Sequence, residues 1–453
     1  MTLDPLHILS PLDGRYADVT EPLRDHFSEF AFLRDRARIE LDFLPALSKT
    51  GLIRPLSNSE SAQLNSIKSN FSTTDAEAIR TYESETRHDV KAIEYFLRDK
   101  LKDTSLNDFL PWLHYGLTSE DVNNIAQAIS LRNSRDVVLL PAFDTLLGKI
   151  LEFAKAYRAL PMLARTHGQP AVPTTLGKEF AVYLARLRKT REEIAVHRFE
   201  AKLTGAVGNY NALQAASPQV DWLSFSAEFI EGHGLVPNFA TNQILPYDNW
   251  LRYFDSLRMA NSILIDFSQD IWRYISDGYL KQAVVAGEVG SSTMPQKVNP
   301  IDFENAEGNL GVANALLTHY SQKLSVARLQ RDLSDSTVRR TFGVALGHSL
   351  LAWVNLVRGM NRIAASEEKL KADLDAHWEI ISEGAQTILR AVGKSDAYES
   401  LKQQTRGQVI TESDYRSWVD TLEIDESTRA KLRTLSPSTY LGLAIELTDR
   451  ITR

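Results

Sequence analysis

Apolar side chains that recur at three- and four-residue steps constrain the fold of this chain more than any other feature. One such stripe consists of Leu139, Phe143, Leu146, Leu147, Ile150, Phe153 and Ala154. This spacing puts the apolar side chains on one face of an α-helix, which turns once every ~3.6 residues. Alternation of the kind that marks β-strands is scarce. The sequence therefore predicts an almost entirely helical, all-α protein.

Other stretches have the same character. Residues 257–274 carry apolar residues in the seven-residue alternation of a coiled-coil seam, which needs a partner helix. Amphipathic helices are also expected over residues 30–44, ending before Pro45, and from about Thr74 to Lys102. Residues 305–319 and 341–358 should be helical too. Together these stretches predict a bundle of long helices.

The chain of 453 residues is too long for one core, since single cores stop growing near ~250–300 residues. The helical stretches lengthen from about residue 111, and short charged segments broken by glycine begin after about residue 363. We therefore expect an N-terminal helical domain over residues 1–112, a central long-helix domain over 113–362 and a C-terminal helical domain over 363–453.

Charge and cysteine content exclude several classes of protein. A formal net charge of −7 argues against a nucleic-acid-binding protein, so any anionic ligand must be bound by local arginines. The absence of cysteine excludes disulfides, a thiol nucleophile and thiolate metal sites. The N-terminus lacks the pattern of a secretory signal, and apolar runs fall short of the ~18 residues of a membrane span. We expect a cytoplasmic protein without nucleic-acid or membrane partners.

Residues 290–300 read Gly-Ser-Ser-Thr-Met-Pro-Gln-Lys-Val-Asn-Pro. Glycine and proline keep regular structure out of this segment, and the remaining side chains bring hydroxyl, amide and ammonium groups. A polar linker between helices is the alternative, but a linker has no need for Met-Pro-x-Lys-x-Asn-Pro. We predict a mobile active-site loop.

Two polar clusters interrupt helical patterns in the middle of the chain. In residues 165–170 and 174–179, His167 is expected at a helix start with its ring facing a cavity, or alternatively as a hydrogen-bonded core histidine. In the second cluster, His114 precedes a helix start with Thr118 or Ser119 as the N-cap. That cap is compatible with binding of a carboxylate or phosphate, because N–H groups at a helix start can bind anions.

Two further clusters are rich in charge. Residues 328–340 alternate arginines with hydroxyl groups, which suits either an exposed charged surface or a phosphate or carboxylate ligand. The triplet Arg87-His88-Asp89 alone predicts only a surface feature. The chain lacks the motifs of phosphate-binding loops, zinc proteases, serine hydrolases and dinucleotide-binding folds. We expect no metal and no cofactor.

Residues 290–300 resemble the G-S-S-x-M-P-x-K-x-N-P signature of the fumarase/aspartase superfamily, and the chain as a whole resembles its adenylosuccinate lyase family in the longer bacterial form. The matching segments are residues 13–16, 118–121, 165–170, 205–211 and 331–333. The resemblance implies an all-α, three-domain homotetramer whose sites are each completed by three subunits. It implies release of fumarate from adenylosuccinate, giving AMP, and from the succinylated aminoimidazole carboxamide ribotide of purine synthesis.

The resemblance also implies roles for individual residues. His167 would be the general acid, and Ser291 the base, with Ser292 as the alternative. Lys297 and Asn299 would stabilise the carboxylate as charge builds on it. The residues that would line the nucleotide and succinyl pockets are Arg15, Tyr16, Arg87, His88, Asp89, Thr118, Ser119, Gln243, Ser292, Asn299, Arg331, Ser336 and Arg340. Among these, the phosphate would be bound chiefly by Arg15, Tyr16, Ser336 and Arg340.

The chain departs from the family pattern at two positions. Gln296 stands where histidine is usual, a pattern associated with argininosuccinate lyases, and Arg87 stands where asparagine is expected. Argininosuccinate lyase, or another fumarate-releasing lyase, is therefore the alternative activity. An inactive descendant of such a lyase is the alternative outside catalysis, and it should have lost the loop serine, Lys297 or His167.

Overall fold

The computed structural model describes residues 5–284, 293–294, 296–394, 399 and 410–453. Its α-helices, in chain order, are α1 (Ala17–Phe27), α2 (Glu29–Lys49), α3 (Asn58–Ser69), α4 (Thr73–Thr86), α5 (Asp89–Leu101), α6 (Ser119–Ser134), α7 (Leu140–Ala156), α8 (Leu176–Val196), α9 (Asn211–Ala216), α10 (Trp222–Gly232), α11 (Asp248–Ser276), α12 (Ile301–Leu324), α13 (Ser334–Arg339), α14 (Phe342–Met360), α15 (Glu367–Asp375), α16 (Ser382–Ala391), α17 (Glu412–Thr421), α18 (Glu426–Thr434) and α19 (Ala444–Ile451). Short 3-10 helices span Pro5–His7, Asn107–Trp112 and Trp378–Ile381. In the described part of the chain, no helix is long and apolar enough to cross a membrane.

The prediction of a mostly helical protein is confirmed, and the described residues also contain three small sheets. The strands are β1 (Pro161–Thr166), β2 (Gln169–Thr175), β3 (Glu200–Ala201), β4 (Val236–Pro237), β5 (Leu280–Gln282) and β6 (Ile363–Ala365). They form three two-stranded sheets, β1–β2 and β5–β6 antiparallel and β3–β4 parallel.

The chain divides into two compact units. Unit 1 comprises residues 1–143, 190–262 and 309–352, and unit 2 comprises residues 144–189, 263–308 and 353–453. Five long helices have residues in both units, namely α7, α8, α11, α12 and α14. The three-domain division remains a prediction.

Aromatic contacts join helices that are distant in sequence within unit 1. Phe43 of α2 makes edge-to-face contacts with Phe225 and Phe229 of α10, with ring centroids 5.6 and 5.8 Å apart. Phe254 of α11 packs on Phe342 of α14 at 4.8 Å. Such pairs add to the stabilisation that burial of the rings already provides.

Unit 2 has an aromatic core of its own and an apolar cluster in its C-terminal part. Phe153 stacks on Phe180 with centroids 4.1 Å apart, and Phe267 meets Phe180 edge to face. The C-terminal cluster contains Leu163 of β1, Leu374 of α15 and other buried residues of the last third of the chain. A strand near the middle of the sequence is thereby packed against the C-terminal helices.

The apolar stripe at residues 139–154 begins at the end of the π turn and continues through α7, and the stripe at 257–274 lies in α11, which confirms both helices. The predicted end before Pro45 is wrong, because α2 continues to Lys49. Phe43, Leu44 and Leu47 are fully buried around the proline. Burial of this face offsets the backbone hydrogen bond that proline cannot donate.

The helix predicted from Thr74 to Lys102 is in fact two helices, α4 and α5. Arg87 ends α4 in the left-handed region at φ 51°, and His88 caps α5. Left-handed backbone is a common way to end a helix, although glycine is the usual residue there. The triplet Arg87-His88-Asp89 therefore forms a sharp corner between the two helices.

Helix α6 continues into α7 through one turn of π-helix at Arg135–Leu139, in which the Leu140 N–H donates to the Arg135 carbonyl. A π turn is one of the recognised causes of a kink in a long helix. Pro141, the second residue of α7, has no N–H to donate. The π turn thus ends two residues before Pro141.

Candidate active site

Helix α6 begins with a capping box, and its N-cap is one of the two residues predicted for that position. Thr118 is the N-cap, and its N–H donates to the carboxylate of Asp121 at 2.9 Å. The same carboxylate accepts the N–H groups of Thr204 and Gly205 and lies 2.9 Å from the Lys202 ammonium. The side chains of Asp121 and Lys202 are both 0% exposed. This buried ion pair fixes the 118–121 motif against the segment that contains Thr204.

Glu120, which precedes Asp121 in the motif, is also fully buried. Its carboxylate lies 2.9 Å from the guanidinium of Arg339 and 3.1 Å from that of Arg331. Asn123 donates to it as well, at 2.7 Å. Burial acts to raise the pKa of Glu120, but the charges of Arg339 and Arg331 outweigh it, and the pKa is lowered. The arginine cluster at 328–340 is therefore held in place by the 118–121 motif.

Contacts extend from Glu120 in two directions. Arg331 donates to the side-chain oxygen of Gln243 at 3.2 Å. On the other side, Arg36 donates to Asn123 and to Asp89, each at 2.8 Å. We call the chain of contacts from Asp89 through Arg36, Asn123, Glu120 and Arg331 to Gln243 the buried polar network. It joins four of the sequence segments that the family resemblance assigns to the substrate.

The triplet Arg87-His88-Asp89 has a defined geometry at the edge of this network. The Nδ1 of His88 accepts the Lys91 N–H at 3.2 Å, which in the neutral ring puts the proton on Nε2. Burial acts to raise the pKa of Asp89, but the Arg36 charge and other contacts leave it lowered. Asp89 therefore carries a negative charge at neutral pH.

The residues predicted to bind phosphate lie near the N-terminus and in α13. Arg15 and Tyr16 end a turn in which the Tyr16 N–H donates to the Pro11 carbonyl, and the Arg15 guanidinium lies 5.8 Å from the Tyr16 ring centroid. Ser336 is half-buried in α13. Arg340 is exposed, pairs with Glu29 at 3.0 Å and lines a cavity of about 260 Å³ together with Asp13 of the turn.

The sequence prediction that His167 lies at a helix start is wrong. His167 is at the tip of the β1–β2 hairpin, where Thr166 pairs with Gln169. His167 and Gly168 have φ values of 52° and 74°, and two positive φ values are typical of the tight turns of hairpins. A histidine is unusual in that conformation, which costs a residue with a Cβ about 1–2 kcal/mol. The imidazole is exposed at this tip.

The signature segment is described only in part. Ser291 and Ser292 lie outside the described residues. Lys297 is exposed, its N–H donates to the Met294 carbonyl at 3.0 Å, and Asn299 is half-buried. The meeting of these residues with His167 in one site remains a prediction. Among the residues described, no group of three or more histidine, aspartate or glutamate side chains is arranged to hold a metal ion.

Two family models match the chain over most of its length. A model described as lyase matches residues 14–314, and one described as adenylosuccinate lyase C-terminal matches residues 327–441. The adenylosuccinate lyase of Haemophilus influenzae is 44% identical over 455 residues, which cover 100% of both chains. That of Escherichia coli K12 is 42% identical, also over 100% of both.

The chain belongs to the adenylosuccinate lyase family.

Solved structures share the fold of this adenylosuccinate lyase family member at low identity. A fumarate lyase from Mesorhizobium sp. BNC1 superposes with a TM-score of 0.77 at 17% identity, covering 95% of this chain and 97% of that one. The 3-carboxy-cis,cis-muconate lactonizing enzyme of Pseudomonas putida gives 0.74 at 19% identity, covering 95% and 96%. The mostly helical fold is thus shared with a fumarate lyase and with a lactonizing enzyme.

Several residues of the buried polar network escaped the sequence prediction. Arg36 was given no role, Glu120 was considered only as part of a helix cap, and Arg339, which contacts Glu120 beside the network, was considered only within the 328–340 cluster. A signal for Arg36 does exist: it lies on the buried face of α2, between Leu33 and Glu40. Charged residues within an apolar stripe need a partner when buried. Searching predicted stripes for such residues would have found Arg36.

Glu40 is a second charged residue on that face, and its partner is His114. The carboxylate of Glu40 accepts the His114 N–H at 3.0 Å and lies 2.5 Å from Nδ1 of the ring. Burial acts to lower the pKa of His114, but the charge and hydrogen bond of Glu40 raise this pKa by more, so the net shift is upward. The pair therefore favours the charged form of the imidazole more than the surroundings of an ordinary histidine do.

Proposed function

We propose that this protein is a cytoplasmic homotetrameric carbon–nitrogen lyase that cleaves adenylosuccinate to AMP and fumarate, and likewise the succinylated aminoimidazole carboxamide ribotide. The 41–44% identity with adenylosuccinate lyases along the full chain supports this activity. Each site would be shared by three subunits and would use no cofactor.

The observation that carries the proposal is the buried polar network. It links Asp89, Arg331 and Gln243 through side chains whose hydrogen bonds leave little freedom of movement. Arginine is suited to the carboxylates and phosphate of a succinylated nucleotide, because its guanidinium can bind two oxygens at once. A substrate with three anionic groups fits a site in which arginines are fixed before it arrives.

The reaction is a β-elimination. A base removes a proton from the carbon next to a carboxylate of the succinyl group, and the electron pair forms the double bond of fumarate as the carbon–nitrogen bond breaks. An acid then supplies a proton to the departing purine nitrogen. The acid and base each contribute to the rate, and stabilisation of the extra carboxylate charge contributes further.

We assign the base to Ser291, with Ser292 as the alternative, and the acid to His167. Lys297 and Asn299 would stabilise the developing negative charge, as a cation and an amide donor can. The exposed position of His167 at a hairpin tip supports this role, because the imidazole has room to reach a ligand. Arg15, Tyr16, Ser336 and Arg340 would bind the phosphate.

The substrate assignment is tested by following fumarate release from adenylosuccinate and argininosuccinate in separate assays. We expect release only from adenylosuccinate. Release only from argininosuccinate would show that Gln296, which matches the pattern of argininosuccinate lyases, identifies the substrate. Release from neither would favour an inactive descendant of the family.

The role of His167 is tested by the His167→Gln variant and its pH profile. Loss of a general acid should lower kcat by about 10²–10⁴-fold and remove one limb of the profile. The melting temperature should change little, since the side chain is exposed. An unchanged rate and profile would remove His167 from the mechanism.

Shared sites are tested by complementation. Ser291→Ala and His167→Ala proteins are each expected to be inactive. When the two are mixed, dissociated and reassembled, some sites will receive both intact residues from different subunits, and activity should return. Each variant treated alone in the same way is the control. Mixed tetramers that stay inactive would rule out shared sites.

A further inference from the structure

Strand β1 of the hairpin that presents His167 meets α15, in the C-terminal part of unit 2, at two places. Leu163 of β1 is buried in the same apolar cluster as Leu374 of α15. Two residues further along β1, the Arg165 guanidinium lies 3.2 Å from the carboxylate of Asp373, also in α15. The two contacts use neighbouring residues of α15 and leave only Thr166 between the second contact and the turn.

Asp373 is surrounded by three donors. Its Oδ2 accepts the Tyr279 hydroxyl at 2.6 Å and the Arg165 guanidinium at 3.2 Å, while its Oδ1 accepts the Lys369 ammonium at 2.8 Å. Burial acts to raise the pKa of Asp373, but the Lys369 and Tyr279 hydrogen bonds and both cations leave it lowered. Burial and the Asp373 contact raise the pKa of Tyr279 to about 12, so this hydroxyl keeps its proton and donates.

Arg165 lies so close to the hairpin tip that its contact with Asp373 can fix the direction of the tip. The regular pairing of β1 with β2 is interrupted between Leu163 and Arg165. Such an irregularity bends a strand and redirects the residues beyond it. A two-stranded hairpin is also only marginally stable by itself, so its tip depends on outside contacts for a fixed direction.

We propose that Asp373 is a positioning residue for the reaction: by holding Arg165 it fixes the direction of the hairpin tip and hence of the His167 imidazole. Asp373 need not touch the substrate. The proposal rests on the proposed function, since it assumes that His167 is the general acid. Misplacement of a catalytic group by about 1 Å can lower a rate ~10²-fold, so loss of this contact should affect turnover more than binding.

The test compares Asp373→Asn with Asp375→Asn. Both change an aspartate of α15 to asparagine, but Asp375 is half-exposed and pairs with Lys371 within its own helix. We expect Asp373→Asn to lower kcat by about 10–100-fold with KM changed by less than about threefold. Asp375→Asn should have wild-type values. Asp373→Glu keeps the charge and should recover part of the lost kcat.

Two further measurements separate positioning from a general loss of structure. The pH-profile limb that disappears in His167→Gln should shift in Asp373→Asn, whereas a purely structural defect would lower the rate at every pH alike. In a double-mutant cycle, Arg165→Met should add little to Asp373→Asn, because both substitutions remove the contact between Arg165 and Asp373. If Asp373→Asn does not fold, Arg165→Met measures the same contact from the hairpin side.

The outcomes distinguish this proposal from the proposed function. If His167→Gln is inactive but Asp373→Asn and Arg165→Met both match Asp375→Asn, the positioning role of Asp373 is wrong and His167 remains the acid. If His167→Gln is fully active, the assignment of the acid fails first. Independent, additive effects of Arg165→Met and Asp373→Asn would also overturn the proposal.

Discussion

Glu120 and Asp373 are both carboxylates that hold arginines, yet their surroundings differ. Glu120 is 0% exposed and meets two arginines in unit 1, whereas Asp373 is 19% exposed and its partner Arg165 is 33% exposed. Removing one partner of a buried pair leaves an uncompensated charge, while partly exposed pairs are weak and screened by solvent. We infer that the contacts of Glu120 maintain the fold around the residues proposed to bind the substrate, and that those of Asp373 fix the direction of the hairpin tip.

The largest expected effect is that of Glu120→Gln. The substitution keeps the shape of the side chain but leaves the buried guanidinium of Arg339 without its main counter-charge. The free energy of unfolding should fall by about 3–5 kcal/mol, measured by denaturant at one protein concentration. In the folded fraction KM should rise, because Arg331 loses its anchor.

The matched control for this change is Glu446→Gln. Glu446 pairs with Arg450 one turn away on α19, and both side chains are more than half exposed. Its loss should lower the free energy of unfolding by less than about 1 kcal/mol. Equal effects of the two substitutions would contradict the distinction drawn between buried and exposed pairs.

Two buried tyrosines of unit 1 test how much a single buried hydrogen bond adds to the free energy of unfolding. The hydroxyl of Tyr247 donates to Asp335 at 2.8 Å. Tyr253, equally buried, has a hydroxyl that meets no hydrogen-bond partner among the described residues. Tyr247→Phe should lower the free energy of unfolding by about 1.5–3 kcal/mol, since the acceptor is charged. Tyr253→Phe should be neutral or slightly stabilising, and thermal and denaturant unfolding would show a difference between the two.

The smallest expected effect concerns pH and the pair of His114 with Glu40. The pKa of His114 is raised in the folded protein, so the pair stabilises the fold fully below the ordinary histidine pKa of 6.5. This stabilisation is lost as pH rises through the folded pKa. The wild-type free energy of unfolding should therefore decline above about pH 6.5 relative to His114→Asn, which has no such group.

Asparagine is chosen at this position because it tolerates the φ of 55° that His114 adopts. Unfolding curves collected from pH 5.5 to pH 8.5 would give the comparison. If the two proteins have parallel pH dependence, His114 does not contribute to it and Glu40 acts only as a hydrogen-bond acceptor for the backbone.

Long apolar stripes were enough to predict α7 and α11, because a buried helical face needs apolar side chains at every turn. The same rule failed at Pro45, where packing of Phe43 and Leu47 outweighs the proline. It also joined α4 to α5, since no glycine or proline marks the corner at Arg87. A left-handed arginine gives no signal in a single sequence.

The local structure around His167 was not predicted. Strand β2 contains Pro170 and Pro173, which argue against a strand, and it is tolerated because the sheet has only two strands. The hairpin at His167 was therefore missed. The contact of Arg165 with Asp373 joins residues 208 positions apart, a distance that local patterns cannot bridge.

The π turn at Arg135–Leu139 sets the phase of a helix that runs, with that turn, from Ser119 to Ala156. The π turn holds one residue more than a turn of α-helix. Because each residue of an α-helix adds a rotation of about 100°, the extra residue rotates α7 by that angle relative to the register of α6. Deleting one residue of the turn would merge the two registers and rotate the buried residues of α7 out of their core.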